Sequence, residues 1–275
     1  MAAYLLLICK MEKNRYYTKR DPFKEEIQED SSTVMLQGEE ENIVLPKVNE
    51  KYVKKDKEET PQTYIVVFSG GTEREKDYLN PILSNKRLFP TLKMEFLADD
   101  NFLKGGKPAI FDFAMQKQIL YTSSTDSEQP DIYFLLTDVD EFGSWVTKEI
   151  PICREHGIKV LVSNPCFEVW LYYATRKDKF EGFIMPDDSS QLSKNVKTWC
   201  GKVVSGGLKP KKYLYCLKAN IENAKFNYCF DPKLLYGGVF STNVFELGET
   251  ILPMIQDELD KINQKNIERS TKFKL

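Results

Sequence analysis

The pattern of apolar and polar positions separates a polar first part of the chain from a remainder with regular apolar spacing, which begins near Thr63. Beyond this point, continuous apolar runs alternate with segments whose apolar residues recur at helical spacing. Continuous runs of β-branched and aromatic residues are typical of strands buried on both faces. They predict strands at Tyr64–Phe68, Met94–Ala98, Asp131–Thr137 and Ile158–Val162. The helical spacing predicts helices at Glu75–Leu83, Pro108–Thr122, Ser144–His156 and Cys166–Arg176.

Strands that alternate with helices predict an α/β fold, with a mainly parallel sheet flanked by helices on both sides. In such sheets, ligands bind outside the carboxyl ends of the strands. After Lys177 the strand signal fades, and the remainder is predicted to be mostly helical. The helices expected there are Gln191–Val203, Lys211–Cys229 and Thr242–Asn266. We therefore expect an α/β core at residues 63–178 and a mostly helical C-terminal part at residues 179–275, packed on the core.

The first 62 residues differ in composition from the rest of the chain. They contain the charged runs Gly38–Glu41 and Lys54–Glu59 and no sustained apolar periodicity. Such sequences favour solvent over a hydrophobic core. We interpret residues 1–62 as a polar N-terminal extension that is flexible or docks onto a partner.

Composition excludes several classes of protein. Formal net charge is −2, so nucleic acid could be attracted only by local basic patches. The six cysteines form no CxxC pair, and His156 is the single histidine, which leaves no conventional structural zinc site and little scope for Ser/His or Cys/His catalysis. No apolar run approaches the length of a membrane span, Ala2–Cys9 included. We expect a cytoplasmic protein with reduced thiols.

Acidic and amide side chains follow three of the predicted strands. The carboxyl ends of parallel strands meet at one edge of a sheet, so we expect these side chains to share one crevice. Carboxylate oxygens suit Mg²⁺ or Mn²⁺, and such a cation would relieve the repulsion between crowded carboxylates. The residues are Glu73 and Glu75 after the first strand, Asp138, Asp140 and Glu141 after the third, and Asn164 and Glu168 after the fourth.

Four sequence blocks resemble the RloB family, a branch of the Toprim metal-dependent phosphotransfer fold found in phage-defence and restriction-linked operons. They are Gly70–Leu79, Tyr133–Glu141, Ser163–Leu171 and Ser241–Leu247. The block Ser-Asn-Pro-Cys-Phe-Glu-Val-Trp-Leu at Ser163–Leu171 is the most specific of them. The resemblance implies a Toprim-like sheet and a metal-dependent nuclease that acts as a toxic effector of antiviral defence by abortive infection. It also implies a partner ATPase of the AAA or ABC type.

The resemblance also assigns roles to residues. Asp138 and Asp140 would be the metal-binding pair, Glu75 would match the second glutamate of the family's first block, and Asn164 and Glu168 would line the same crevice. We take Asp138, Asp140 and Glu75 as candidate metal ligands. The candidate catalytic group is Glu73, Glu75, Asp138, Asp140 and Glu168. One departure matters most. Gly70 occupies the position where the family usually has its first glutamate. Either Glu73 supplies the missing carboxylate through a reshaped loop, or Glu75 acts alone, or the site binds metal without efficient turnover.

Lysines and aromatic residues lie close together near Pro210. Lys209, Lys211 and Lys212 are candidate contacts for a phosphate backbone, and a solvated helix start is the alternative explanation. The aromatic residues of Trp170–Tyr173 are better explained as core packing than as base-stacking groups. Cys166 is better explained as a small buried residue than as a nucleophile.

Three functions remain open from the sequence. The first is a nuclease that cleaves RNA, with tRNA as one possibility, or DNA. The second is a catalytically degenerate subunit that binds and regulates a partner ATPase, which the glycine at position 70 favours. The third is a phosphatase or phospho-acceptor with Asp138 as the nucleophile, but such aspartates normally follow the first strand of a doubly wound sheet. Oligomeric state, including a homodimer, is also open.

Overall fold

The computed structural model describes residues 62–125, 128–140 and 142–272. The N-terminal extension predicted at residues 1–62 therefore lies, apart from Gln62, outside the described residues. Glu141, which the sequence places in the acidic group after the third strand, also lies outside them.

The strands of the described part are β1 (Thr63–Ser69), β2 (Leu92–Ala98), β3 (Ile132–Asp138), β4 (Ile158–Asn164), β5 (Phe230–Asp231), β6 (Tyr236–Gly237) and β7 (Ser241–Thr242). Five of them form a central sheet in the order β2-β1-β3-β4-β7, and β5 and β6 form a separate hairpin. Strands β1 to β4 pair in parallel, and β7 pairs antiparallel with β4. This arrangement confirms the predicted α/β class with a mainly parallel sheet.

Helices connect the parallel strands and complete the C-terminal part. Their bounds are α1 (Arg74–Leu83), α2 (Ala109–Ser123), α3 (Ser144–Glu155), α4 (Glu168–Tyr173), α5 (Leu192–Val203), α6 (Pro210–Tyr213), α7 (Leu217–Asn227) and α8 (Phe245–Lys272). The helix predicted at Lys211–Cys229 is wrong as one element, because a 3₁₀ turn at Leu214–Cys216 separates α6 from α7. No helix in the described ranges has both the length and the apolar character needed to cross a membrane.

Both faces of the sheet are covered, which explains why its strands read as continuous apolar runs. On β1, Ile65 and Val67 belong to the core shared with α1, α4, α5, α7 and α8. Tyr64, Val66 and Phe68 belong to the opposite core, shared with α2 and α3. Successive side chains of a strand point to opposite faces, so an element buried on both sides needs apolar residues at every position.

Short strands near the C-terminus correct the expectation that the strand signal ends at Lys177. Strand β7 and the hairpin strands are each two residues long, which is too short for a period-two pattern to appear in the sequence. Beyond the end of β7, the backbone of β4 forms hydrogen bonds with a side chain instead of with a strand. Asn243 accepts a hydrogen bond from the Val162 amide at 2.6 Å and donates to the Val160 carbonyl at 3.3 Å. The predicted helix start at Thr242 is therefore wrong, and α8 begins at Phe245.

Candidate metal centre

A crevice opens at the carboxyl edge of the sheet, where the chain order reverses between β1 and β3. This reversal is the position at which open α/β sheets bind ligands. The crevice has a volume of about 340 Å³. Its walls are formed by the loop after β1, the first turn of α1, the loop after β3, the start of α4 and one side chain of α5. The lining residues are Gly70, Gly71, Thr72, Glu73, Arg74, Glu75, Thr137, Asp138, Asp140, Phe142, Phe167, Glu168 and Lys197.

The loop after β1 brings Glu75 into the crevice because Gly71 has no side chain. A Cβ atom at residue 71 would lie 2.2 Å from Oε2 and 2.4 Å from Oε1 of Glu75. Real Cβ atoms do not approach other heavy atoms this closely, so the carboxylate can fold back over the backbone only at a glycine. Glu75 is also in the first turn of α1, where the helix dipole favours a negative charge. Its residue surface is 7% exposed.

The loop after β3 is fixed by backbone hydrogen bonds to the end of β4. The Val139 amide donates to the Ser163 carbonyl at 3.2 Å, and the Asp140 amide donates to the Pro165 carbonyl at 3.0 Å. These bonds hold the two residues after Asp138 against the neighbouring strand end, and Asp138 itself pairs with Ser163 of β4. The carboxylates of Asp138 and Asp140 are thus carried on backbone that is fixed to β4.

Two of the crevice carboxylates are paired with cations of the protein itself. Arg74 Nε lies 2.9 Å from Glu168 Oε1, and the two side chains are 50% and 3% exposed. Lys197 Nζ lies 3.1 Å from Asp140 Oδ2, with exposures of 40% and 12%. The hydroxyl of Ser193 donates a further hydrogen bond to Asp140. In each pair, a half-exposed cation on the crevice wall therefore faces a carboxylate that is shielded from solvent, fully for Glu168 and largely for Asp140.

Two further crevice carboxylates, Glu75 and Asp138, have no cation within ion-pair distance among the described residues. Burial, followed by the charge of Glu168, raises the pKa of Glu75 to about 7, although its own backbone amide, Lys197 and Arg74 act in the opposite direction. Burial, followed by the charge of Glu75, raises the pKa of Asp138 well above its usual value. These two groups repel each other, and the protein alone does not neutralise both.

This donor set fits a hard divalent cation held by two carboxylates. Mg²⁺ prefers oxygen ligands and is usually bound by one or two carboxylates together with water and substrate phosphate. Within the described residues, no group of three or more His, Cys, Asp or Glu side chains is arranged to hold a metal by itself. The predicted set of Asp138, Asp140 and Glu75 is accordingly not a ready three-ligand site, because Asp140 faces Lys197. Glu75 and Asp138 are the residues available to hold Mg²⁺ or Mn²⁺.

The remaining predicted residues of the crevice take different places. Glu73 lines the rim, is exposed, and occupies the position before the first residue of α1. Asn164 is buried, and its amide donates a hydrogen bond to the Gly237 carbonyl at 3.1 Å. It does not line the crevice. In this structure, Asn164 connects the end of β4 to the hairpin.

The predicted basic patch lies outside the crevice wall. Lys211 Nζ is 3.2 Å from Asp77 Oδ1 on α1, and both side chains are exposed. Lys209 and Lys212 are at the ends of the same short segment around α6, Lys209 partly buried and Lys212 exposed. Their predicted contact with nucleic acid stays a prediction.

Sequence reasoning missed three residues of the site: Arg74, Lys197 and Phe142. Arg74 is inside a motif block, and its position one residue before Glu75 was the available signal. Lys197 is on α5, far along the chain from the strands, so only the tertiary packing of this helix brings it to Asp140. Phe142 follows the acidic loop, and its ring fills the space beside Gly70. The predicted core positions Cys166 and Trp170 are confirmed as fully buried.

The family described as RloB-like protein matches residues 65–247, which is more than half of the chain. The match runs from β1 to the first turn of α8 and includes every residue that lines the crevice. No curated protein and no solved structure is significantly similar to the chain. On the strength of the family match, the chain belongs to the RloB-like family.

Proposed function

We propose that this chain is a Toprim-type endonuclease that depends on Mg²⁺ or Mn²⁺ and cleaves phosphodiester bonds of nucleic acid. The observation that carries the proposal is the pair of crevice carboxylates, Glu75 and Asp138, which lack an ion-pair partner among the described residues. They stand beside two half-exposed cations, Arg74 and Lys197, in one crevice at the topological switch point. A cation-binding pair next to phosphate-binding cations is the arrangement that phosphodiester chemistry requires.

The roles of the residues follow from their positions. Asp138 and Glu75 would hold the metal, which when bound supplies a Lewis acid that polarises the scissile phosphate. Arg74 and Lys197 would contact the phosphate oxygens, because each lines the crevice and is oriented by a buried carboxylate. Glu168 and Asp140 position these two cations. Glu73, on the rim, is the carboxylate through which a proton could be exchanged with solvent.

Membership of the RloB-like family supports a biological setting for the proposed nuclease. In this setting, the chain would be a cytoplasmic effector of antiviral defence whose toxicity is controlled by an AAA- or ABC-type ATPase. Candidate substrates are tRNA, other RNA and DNA. Residues 1–62 are the proposed docking segment for the ATPase.

Cleavage assays with matched variants test the proposed activity. Purified wild-type protein, Asp138→Asn and Glu75→Gln would be incubated with tRNA, single-stranded and duplex substrates, with Mg²⁺, Mn²⁺ or EDTA. The control is Asp187→Asn, which removes an exposed carboxylate outside the crevice. We expect metal-dependent cleavage by the wild type and the control and at least a hundredfold loss in the two site variants, because electrostatic groups of an active site typically contribute this much. Unchanged cleavage by Asp138→Asn would refute the site.

A second candidate function is a catalytically degenerate subunit that binds and regulates the ATPase. The specific observation in its favour is Gly70, whose side-chain position is filled by the Phe142 ring, so no carboxylate occupies it. Metal titration distinguishes the two candidates. Metal binding by the wild type without cleavage of any substrate, with the ATPase present, would favour the subunit.

A further inference from the structure

The loop that follows β2 carries an exposed aromatic ring beside the crevice. Phe102 is 50% exposed, and its ring centroid lies 6.0 Å from that of Phe142. Phe142 is itself nearly fully buried and lines the crevice. The loop starts at the same sheet edge, since the Asp99 amide donates to the Ser69 carbonyl at 3.1 Å, one residue before Gly70. Phe102 does not line the crevice itself, but it lies against Phe142, a residue of the crevice wall, and exposes half of its surface to solvent.

This loop is held in one conformation by local contacts. Phe102 and Pro108 form an antiparallel bridge, and the Leu103 amide donates to the Lys107 carbonyl at 2.7 Å. Gly105 and Gly106 have positive φ angles of 88° and 75°, which close the turn between them.

Two partly buried ion pairs of Lys107 fix the base of the loop. Lys107 Nζ lies 2.7 Å from Asp112 Oδ1 and 3.0 Å from Glu149 Oε1, and Glu149 is nearly fully buried. The exposed ring is thus presented on a fixed support, and the neighbouring tip residue Lys104 is exposed.

We infer that Phe102 is a stacking platform for an unpaired nucleobase next to the phosphate in the crevice, so that the substrate is single-stranded or locally unpaired. This inference deepens the proposed function and rests on it. An aromatic face binds any base by stacking, and a base inside a duplex has no free face to offer. Exposed Phe102 provides the face, the Arg74 and Lys197 cations attract the backbone, and Lys104 adds positive charge at the tip.

Binding assays on full-length protein separate stacking from a packing role of Phe102. Fluorescein-labelled oligothymidylate, oligouridylate and a hairpin duplex would be titrated by anisotropy, with Ca²⁺ in place of Mg²⁺ to prevent cleavage. The variants are Phe102→Ala, Phe102→Leu and Phe102→Trp. Leucine still covers Phe142 but cannot stack, whereas tryptophan stacks. The control is Phe226→Ala, which removes a ring that is 71% exposed and does not line the crevice.

We expect Phe102→Ala and Phe102→Leu to weaken single-strand binding about tenfold, with duplex binding unchanged. We expect Phe102→Trp and Phe226→Ala to bind like the wild type. Equal binding by Phe102→Leu and wild type would overturn the inference, and so would equal losses on single strands and duplex or no binding of oligonucleotide by any form. If Asp138→Asn abolishes cleavage while Phe102→Leu changes nothing, the proposed function stands and the stacking role falls.

Discussion

The ring of Phe142 covers Gly70: its Cε2 atom lies 2.5 Å and its Cζ atom 2.6 Å from the position that a Cβ at residue 70 would take. The ring is packed in the core between Phe111 and the exposed Phe102. Any side chain at residue 70 must displace it. The packing of the Phe142 ring at this place therefore depends on a glycine at residue 70.

Gly70→Ala is expected to destabilise the wild-type protein and to be tolerated when Phe142 is shortened. Overpacking of a core typically costs about 1–3 kcal/mol. In a Phe142→Leu background, which removes the two ring atoms in question, the same change should cost under about 1 kcal/mol. Urea unfolding of the four proteins measures the coupling.

The matched control for this cycle is Gly238→Ala, because a Cβ at residue 238 would meet no atom within 4 Å. We expect a change of less than about 0.5 kcal/mol there. Equal costs of Gly70→Ala in both backgrounds would show that the ring is not what the new methyl group meets.

Gly71→Ala is expected to damage the site more than the fold. The three atoms nearest to the added Cβ all belong to the Glu75 carboxylate, which is the end of a flexible side chain and can move away at small cost. We expect unfolding free energy to change by less than about 1 kcal/mol while Mn²⁺ affinity falls about tenfold. Isothermal titration calorimetry and urea unfolding give the two values. If Gly71→Ala binds Mn²⁺ as tightly as the wild type, Glu75 does not contribute to metal binding.

The ion pair of Arg74 and Glu168 should contribute more than a surface pair, because its carboxylate is buried. Arg74→Ala leaves Glu168, whose side chain is 3% exposed, without its partner. Removing one partner of a buried pair is strongly destabilising, but Arg74 is itself half-exposed, so we expect about 1–3 kcal/mol. A double-mutant cycle with Glu168→Gln should recover part of this loss.

The control for this prediction is the exposed ion pair of Lys225 and Glu249. Its charged atoms lie 2.5 Å apart, and its side chains are 50% and 45% exposed. Its coupling energy should not exceed about 1 kcal/mol. A coupling for Arg74 and Glu168 no larger than this surface value would contradict the buried character of the pair.

In the absence of metal, the protein should become less stable as pH rises. Glu75 titrates at about 7 in the folded protein and at about 4.3 in an unfolded chain. Between these values the folded state holds a proton that the unfolded state has lost, so the free energy of unfolding falls through this window and levels off above it. Burial raises the pKa of Asp138 as well, so the ionisation of this group also lowers the free energy of unfolding as pH rises.

Urea unfolding in EDTA between about pH 5 and about pH 8 measures this dependence. In Glu75→Gln, the fall in unfolding free energy over this pH range should be smaller than in the wild type by on the order of 2–3 kcal/mol. Parallel curves for wild type and Glu75→Gln would refute the raised pKa.

Much of this geometry could be predicted from the sequence, because parallel strands end at one edge. That rule is enough to place Asp138, Glu75 and Glu168 in one crevice once β1, β3 and β4 are recognised from their apolar runs. The partners of these carboxylates were harder to predict. Lys197 reaches Asp140 from α5 across 57 positions of sequence, and no local pattern specifies that contact.

The errors in the fold share a physical reason. Strand β7 is only two residues long and is recognised as a strand by its pairing with β4, while Asn243 completes the edge through its side chain. Neither contact leaves a periodic signal. The break between α6 and α7 likewise depends on the packing of Tyr213 and Leu214 into the core. Tertiary contacts override local propensity at these positions.

Anomalous X-ray scattering from a Mn²⁺ derivative shows whether Asp138 and Glu75 share one metal ion. We expect an anomalous peak in the crevice about 2.1 Å from carboxylate oxygens of both Asp138 and Glu75. The peak should disappear in Asp138→Asn and remain in Asp187→Asn. A fully occupied Mn²⁺ site elsewhere, with none between Asp138 and Glu75, would contradict the proposed metal site.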